Sequence, residues 1–125
     1  MEIIDRELTE RIIGCAIGVH RELGPGLLES AYEACLAFEF ADRGIRFRRQ
    51  VALPVTYRNV RLDCGYRMDF VVNERIVLEV KAVETIAAVH EAQLMTYLRL
   101  SGHRVGFILN FNVPLLRHGI VRRVL

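Results

Sequence analysis

The chain contains very little lysine: Lys81 is the single lysine beside sixteen arginines. Arginine carries a planar, forked guanidinium, whereas lysine carries a compact and strongly hydrated ammonium on a flexible stem. The two side chains are therefore not interchangeable where a site depends on that geometry. Because the chain uses arginine at every other basic position, its only lysine is a candidate functional residue.

Other patterns are missing, and each absence argues against a class of protein. The three cysteines form no CxxC pair and the four histidines form no HxxxH or HExxH pair, which argues against a zinc or iron–sulfur site. No apolar run is long enough to span a bilayer, and the first residues lack the basic and apolar regions of a signal peptide. We therefore expect a cytoplasmic protein with reduced cysteines and no membrane contact.

Length and charge set further limits. A chain of 125 residues that is 52% hydrophobic suits a single domain, 1–125, with one compact core. Its net charge of +2 permits contact with nucleic acid, although a protein that coats DNA is usually more basic. The high apolar fraction is compatible with a homodimer, since some of that surface would otherwise face water.

Apolar periodicity predicts two helices followed by strands and one further helix. The predicted helices cover 5–23, 27–43 and 87–101, and the predicted strands cover 47–57, 60–62, 66–72, 76–83, 105–110 and 119–125. Pro54 interrupts the first strand, which suits an edge or a bend, and 60–62 is expected to extend the same sheet. The stretch 76–105 has the length of a βαβ unit. We therefore expect an α/β fold with a central mixed β-sheet flanked by helices.

The strand that contains Lys81 also contains Glu79. The run 76–83 is apolar and β-branched, which predicts a buried strand. Side chains alternate along a strand, so Glu79 and Lys81 project from the same face. Asp69 lies in the preceding strand, and a three-residue hairpin loop would place it opposite Glu79, with Cβ atoms about 4.5–5.5 Å apart. A two-residue turn would place Asp69 on the wrong face.

Two carboxylates at that distance repel each other unless a divalent cation or a shared proton lies between them. Carboxylate oxygens suit Mg²⁺ or Mn²⁺, which bind proteins through one or two carboxylates together with water and substrate phosphate. Lys81 would then orient or deprotonate the attacking water, or offset charge on the phosphate. The set predicts a metal-dependent phosphodiester hydrolase. The alternative is a surface ion pair on an edge strand, because Glu-x-Lys is a common pattern.

Two helices supply further candidates. Glu29 falls in the first turn of the second helix, where an acid interacts favourably with the helix dipole or, alternatively, completes the metal site as a third carboxylate. Gln93 and Tyr97 are four residues apart on the third helix and therefore share a face. That face either buries one aromatic side chain or positions a phosphate or a water bound to the metal.

These residues together resemble the PD-(D/E)xK nuclease superfamily. Asp69 and the run Glu79-Val80-Lys81 match its strand motif, except that Met68 stands where the superfamily name has proline. The resemblance implies a restriction-endonuclease-like core in which Asp69 and Glu79 are metal ligands and Lys81 is the catalytic lysine. It covers nearly the whole chain.

The helical segments extend this resemblance. The segment 26–32 resembles the signature of the small GxxExxY proteins of the superfamily, in which Glu29 is the helical acid. Gln93 and Tyr97 match the helix motif of its exonuclease-like branches. The resemblance implies that these two side chains position the substrate.

The resulting hypothesis is a metal-dependent nuclease that hydrolyses nucleic-acid phosphodiester bonds, with DNA expected rather than RNA. Its catalytic residues are Glu29, Asp69, Glu79 and Lys81, and its metal ligands are Glu29, Asp69 and Glu79, for Mg²⁺ or Mn²⁺. The alternative is a non-catalytic nucleic-acid- or protein-binding module that retains the nuclease fold. A third possibility is a subunit whose activity requires a partner. Metal binding distinguishes an active enzyme from the binding module.

Overall fold

The computed structural model describes residues 5–125, and residues 1–4, on which the argument against a signal peptide partly depends, lie outside the described residues. Three helices cover Arg6–Leu23 (α1), Glu29–Asp42 (α2) and Ala88–Ser101 (α3). The strands are β1 (Phe47–Ala52), β2 (Val55–Tyr57), β3 (Val60–Leu62), β4 (Arg67–Val72), β5 (Ile76–Lys81), β6 (Val105–Asn110) and β7 (Ile120–Val124). A short 3₁₀ helix, Leu116–Gly119, precedes β7.

Five of the strands form one mixed sheet in the order β1-β4-β5-β6-β7. β5 and β6 are parallel and are connected through α3, and the other neighbouring pairs are antiparallel. This arrangement confirms the predicted βαβ unit and the predicted central mixed sheet flanked by helices. None of the helices within residues 5–125 combines the length and the hydropathy that a membrane span needs.

The helices cover opposite faces of the sheet because the side chains of each strand alternate between them. On β5, Leu78 packs with the side chains of α1 and α2, whereas Val77 packs with those of α3. Aromatic contacts strengthen the α1–α2 side, where the ring of Tyr32 stacks on that of Phe111 with centroids 4.5 Å apart. β5 therefore lies in the middle of the sheet with both faces covered.

The predicted extension of the main sheet by 60–62 is wrong. β2 and β3 pair only with each other, in a separate two-stranded sheet. β1 ends before Pro54, which has no N–H to continue the ladder. The chain then turns back at once through Arg58 and Asn59, whose positive φ angles of 49° and 66° suit a tight hairpin. The short hairpin therefore projects from the domain.

Candidate active site

Of the two registers that the sequence left open, the hairpin of β4 and β5 has the one with the three-residue loop. Val72 pairs with Ile76 across a three-residue loop, and Phe70 pairs with Leu78. Asp69 and Glu79 are the next residues along the two strands. At this position the Asp69 N–H donates a 3.0 Å hydrogen bond to Glu79 Oε2. The acceptor that β5 offers to this N–H of β4 is therefore a side-chain carboxylate, whereas in a regular ladder it would be a backbone carbonyl.

Asp69 makes the reciprocal contact, because its Oδ2 atom accepts a 2.8 Å hydrogen bond from the Val80 N–H. The alternation of β4 breaks at the same place: Phe70 packs on the α1–α2 side, whereas Met68 packs with α3. On β1, Gln50 lies opposite Asp69 between the paired residues, with φ at +49°, and its side-chain amide donates to Asp69 Oδ1 at 3.3 Å. A local distortion of β1 at Gln50 and of β4 at Asp69 therefore accompanies the placement of the Asp69 carboxylate between β4 and β5.

The two carboxyl groups have strongly altered acidity. Glu79 is 5% exposed, and burial together with the charge of Asp69 raises its pKa to about 8. Burial also raises the pKa of Asp69, although the hydrogen bond from Val80 and the charge of Lys81 act in the opposite direction. Without a cation, Glu79 is therefore mostly protonated at neutral pH, and the pair carries about one negative charge.

The donor atoms of this pair fit a hard divalent cation. Glu79 Oε1 accepts no hydrogen bond from the residues that the structure describes, and carboxylate oxygens are the ligands that Mg²⁺ and Mn²⁺ prefer. Within residues 5–125, no three His, Cys, Asp or Glu side chains cluster closely enough to hold a metal ion. Asp69 and Glu79 therefore offer two carboxylates, a number with which a protein can bind Mg²⁺ when the ion keeps several waters.

Glu29 lies close to this pair but does not join it in a three-ligand cluster. It is the first residue of α2, and its Oε2 atom accepts a 3.1 Å hydrogen bond from the N–H of Ala82, just beyond β5. It also lines a cavity of about 280 Å³ together with Ser30, Glu33, Gln50, Asp69 and Val80. The structure thus brings Glu29 and Asp69 to one cavity while Glu29 holds the end of β5.

Lys81 ends β5 and is fixed through its own backbone and that of the next residues. Its carbonyl accepts a hydrogen bond from Phe111, and the N–H and carbonyl of Val83 bond to the side-chain amide of Asn110 at 3.1 and 2.9 Å. None of the ion pairs within residues 5–125 includes Lys81. Since β5 is central and Glu79 is buried, the alternative of a surface ion pair on an edge strand does not fit.

Gln93 and Tyr97 share one face of α3, as the spacing predicts, and the Gln93 amide donates a 2.9 Å hydrogen bond to the Tyr97 hydroxyl. They line a second cavity, on the α3 side, rather than the cavity of Glu29. Burial raises the pKa of Tyr97, and the negative charge of Glu79 raises it further. Tyr97 also packs in the same apolar cluster as Met68, the neighbour of Asp69. The two residues therefore lie near the carboxylates, on the other side of the sheet from α2.

Two polar residues near the site, Glu33 and Asn110, were not predicted from the sequence. Glu33 accepts hydrogen bonds from Gln50, at 2.5 Å, and from Arg49, at 2.8 Å. Its position four residues after Glu29, on the same helix face, was the available sequence signal. Asn110 is 2% exposed, and its only signal is a polar residue at the end of an apolar strand. Its contacts with the segment after Lys81 depend on the tertiary fold.

Comparison with known proteins agrees with this geometry. The family model of the PD-(D/E)XK nuclease superfamily matches residues 6–124, and the chain belongs to that superfamily. The mixed five-stranded sheet with three helices is consistent with its restriction-endonuclease-like α/β fold, and its nucleases typically use divalent metal ions. No curated protein and no solved structure matches the chain significantly. The match does not distinguish the GxxExxY proteins from the rest of the superfamily.

Proposed function

We propose that this PD-(D/E)XK superfamily member is a metal-dependent nuclease that hydrolyses phosphodiester bonds of DNA. The observation that supports the proposal most is the pair of adjacent carboxylates, half-buried Asp69 and buried Glu79, each held by a backbone N–H of the opposite strand. Burying two adjacent acids destabilises a protein unless a ligand or a proton compensates their charge. A divalent cation between them provides that compensation.

The proposed roles follow from the positions of the side chains. Asp69 and Glu79 would hold Mg²⁺ or Mn²⁺, which would supply positive charge to polarise the phosphoryl group. Lys81 is one pleat further along β5, and its ammonium orients the attacking water or offsets charge on the phosphate. Gln93 and Tyr97 position the substrate from the α3 side.

Glu29 is proposed to act from the α2 side of the cavity, and the GxxExxY pattern explains how it is placed there. The hydroxyl of Tyr32 donates a 2.6 Å hydrogen bond to the Gly24 carbonyl and accepts one of 3.1 Å from the Leu27 N–H. Gly26, with φ at +102°, allows the turn that Tyr32 closes. The glycine and the tyrosine thereby fix the start of α2, from which Glu29 reaches Ala82. These contacts give each residue of the GxxExxY pattern a structural role, which supports the proposal that the chain is one of the GxxExxY proteins.

Cleavage assays test the proposal directly. Purified protein is incubated with labelled single- and double-stranded DNA and RNA in Mg²⁺ or Mn²⁺. We expect metal-dependent cleavage of DNA that falls by about 100-fold or more in Asp69→Asn and in Lys81→Ala, since groups that act in the transition state typically contribute that much. Asp42→Asn, an exposed acid at the end of α2, serves as the matched control and should retain activity.

Two results would contradict the nuclease hypothesis. Asp69→Asn or Lys81→Ala with undiminished cleavage would remove the proposed site. A folded protein that neither binds Mn²⁺ by calorimetry nor cleaves any of the four substrates would support a non-catalytic binding module, and one that binds Mn²⁺ without cleavage would support a subunit that requires a partner.

A further inference from the structure

A groove of about 520 Å³ lies between α3 and the base of the β2–β3 hairpin. Its walls are mainly apolar and aromatic, and we call it the α3 groove, with Val55, Tyr66, Val89, Tyr97 and Leu100 among its lining residues. The ring of Tyr66 packs against that of Tyr97 with centroids 6.1 Å apart, yet 44% of Tyr66 remains exposed. The groove thus presents an aromatic surface to solvent beside a residue of the proposed site.

The hairpin continues this apolar surface. Val55 pairs with Leu62 and Tyr57 pairs with Val60, and cross-strand partners project from the same face of a sheet. Because Val55 lines the α3 groove, the face that these four residues share is the one turned toward the groove. Tyr57 is 50% exposed and Val60 is 55% exposed. A contiguous exposed apolar surface of this kind marks a binding site.

The charges around this surface favour a polyanionic ligand. Two arginines, Arg58 in the hairpin turn and Arg67 after the hairpin, take part in no ion pair within residues 5–125. The only acid between them, Asp63, accepts a hydrogen bond from the Gly65 N–H. Unpaired arginines beside exposed aromatic rings match the backbone phosphates and the bases of a nucleic acid.

Arg48 and Arg49, which lie on β1 beside the other end of β4, are by contrast ion-paired. Arg48 makes two hydrogen bonds to Glu74, and Arg49 pairs with Glu33. Their positive charge is therefore largely neutralised by neighbouring acids. The hairpin region, by contrast, brings basic and exposed aromatic side chains together without such ion pairs among residues 5–125.

We propose that the α3 groove and the adjoining hairpin face bind the unpaired bases of single-stranded nucleic acid. Aromatic and aliphatic walls bind bases by stacking, and the base faces in a duplex are already covered by their neighbours. Gln93 and Tyr97 line the groove and also lie near the carboxylates, so a strand in the groove extends toward the proposed site. The inference rests on the proposed nuclease function for the position of the scissile phosphate.

A binding measurement without metal tests this inference separately from cleavage. Fluorescence anisotropy of a labelled single-stranded oligonucleotide is followed in EDTA, where no metal-dependent hydrolysis occurs. Tyr66→Ala should weaken binding by about tenfold or more, since stacking of one base on an aromatic ring is worth that factor. Tyr66→Phe keeps the ring and should bind like the wild type. A duplex of the same sequence should bind at least tenfold more weakly than the single strand at equal salt.

Two further variants separate loss of binding from loss of folding. Val60→Ser changes an exposed position of the hairpin face, so the protein should keep its melting temperature while its affinity falls. Phe38→Ala removes an aromatic ring of α2 that is 68% exposed and lies away from the groove, and this variant should bind normally.

Three outcomes would overturn the inference. The first is unchanged affinity in both Tyr66→Ala and Val60→Ser, and the second is equal affinity for single and double strands. The third is a homodimer, detected by light scattering, that Leu100→Glu dissociates, because the surface would then be covered by a second copy. Cleavage that depends on Asp69 together with any of these results would leave the nuclease function standing and remove only the groove as its binding surface.

Discussion

The two ends of the β4–β5 hairpin differ sharply although only a few residues separate them. Near the turn, Val71, Val72, Ile76 and Val77 are fully buried and joined by a regular backbone ladder. At the other end the ladder gives way to the hydrogen-bonded carboxylates of Asp69 and Glu79. The proposed functional residues therefore lie where the packing rules of a central strand are broken, directly beside a segment that obeys them.

The side chains at the two ends of the hairpin contribute to the free energy of folding with opposite signs. Each fully buried apolar side chain at the turn end contributes about 1.5–3 kcal/mol of hydrophobic stabilisation. The acids at the open end oppose folding when both are ionised, because burial and mutual repulsion disfavour their charges. The apolar packing near the turn therefore offsets the unfavourable free energy of placing Asp69 and Glu79 side by side.

The largest effect is expected from Phe70→Ala, which removes the last apolar side chain before Asp69. Phe70 is fully buried, and its ring packs edge-on against Phe40 and Phe47 with centroids 5.4 and 5.8 Å away. Loss of a large buried aromatic costs about 3–5 kcal/mol through lost transfer energy and the cavity that remains. Urea unfolding at pH 7 measures this loss. A change below about 1 kcal/mol would show that the apolar segment does not support the site as argued.

The next largest effect, a gain in stability rather than a loss, is expected from Glu79→Gln in the metal-free protein. The pKa of Glu79 is raised from 4.5 to about 8 in the folded state, so the folded protein binds the proton more tightly than the unfolded chain. The resulting stabilisation is complete below pH 4.5 and is lost as the pH rises through about 8. Glutamine does not titrate, so the variant should exceed the wild type by a few kcal/mol at pH 9.

Unfolding in EDTA at pH 5 and at pH 9 measures this difference. Near pH 5 the two proteins should be almost equally stable, because Glu79 is then protonated. Glu10→Gln, which removes an exposed acid of α1, is the matched control and should change the pH dependence little. Parallel stability curves for wild type and Glu79→Gln across this range would mean that Glu79 is not held as a buried acid.

The regular end of the hairpin was more predictable than the irregular end. The strand pattern left two loop lengths open, and the three-residue loop, which pairs Val72 with Ile76, places Asp69 beside Glu79. The carboxylate–backbone hydrogen bonds were not predictable, since they occur together with a positive φ angle at Gln50, on another strand, and no local pattern indicates that angle. Local patterns specify strands and register, whereas such a distortion depends on contacts between distant segments.

The same limit explains the other differences. Glu33 and Asn110 affect the site through partners that lie far away in the sequence, and no local pattern identifies those partners. The separate β2–β3 hairpin was missed because a strand-like pattern predicts extended chain without specifying its neighbour. The type and order of the elements could therefore be predicted, but not all of their contacts.

The smallest effect is expected from Glu74→Gln, in the turn that joins β4 to β5. Glu74 is ionised and its pKa is lowered, chiefly by its hydrogen bonds to Arg48, so its contribution is present above its unfolded pKa and is lost as the pH falls. Both side chains are 53% exposed, and an exposed ion pair contributes less than about 1 kcal/mol and is screened by salt. Urea unfolding at pH 7 in low and high salt should show this small loss only in low salt. A loss as large as that of Phe70→Ala would contradict the comparison, because the hairpin would then depend on an exposed ion pair at its turn. A small loss would assign the difference between the turn end and the open end to apolar burial.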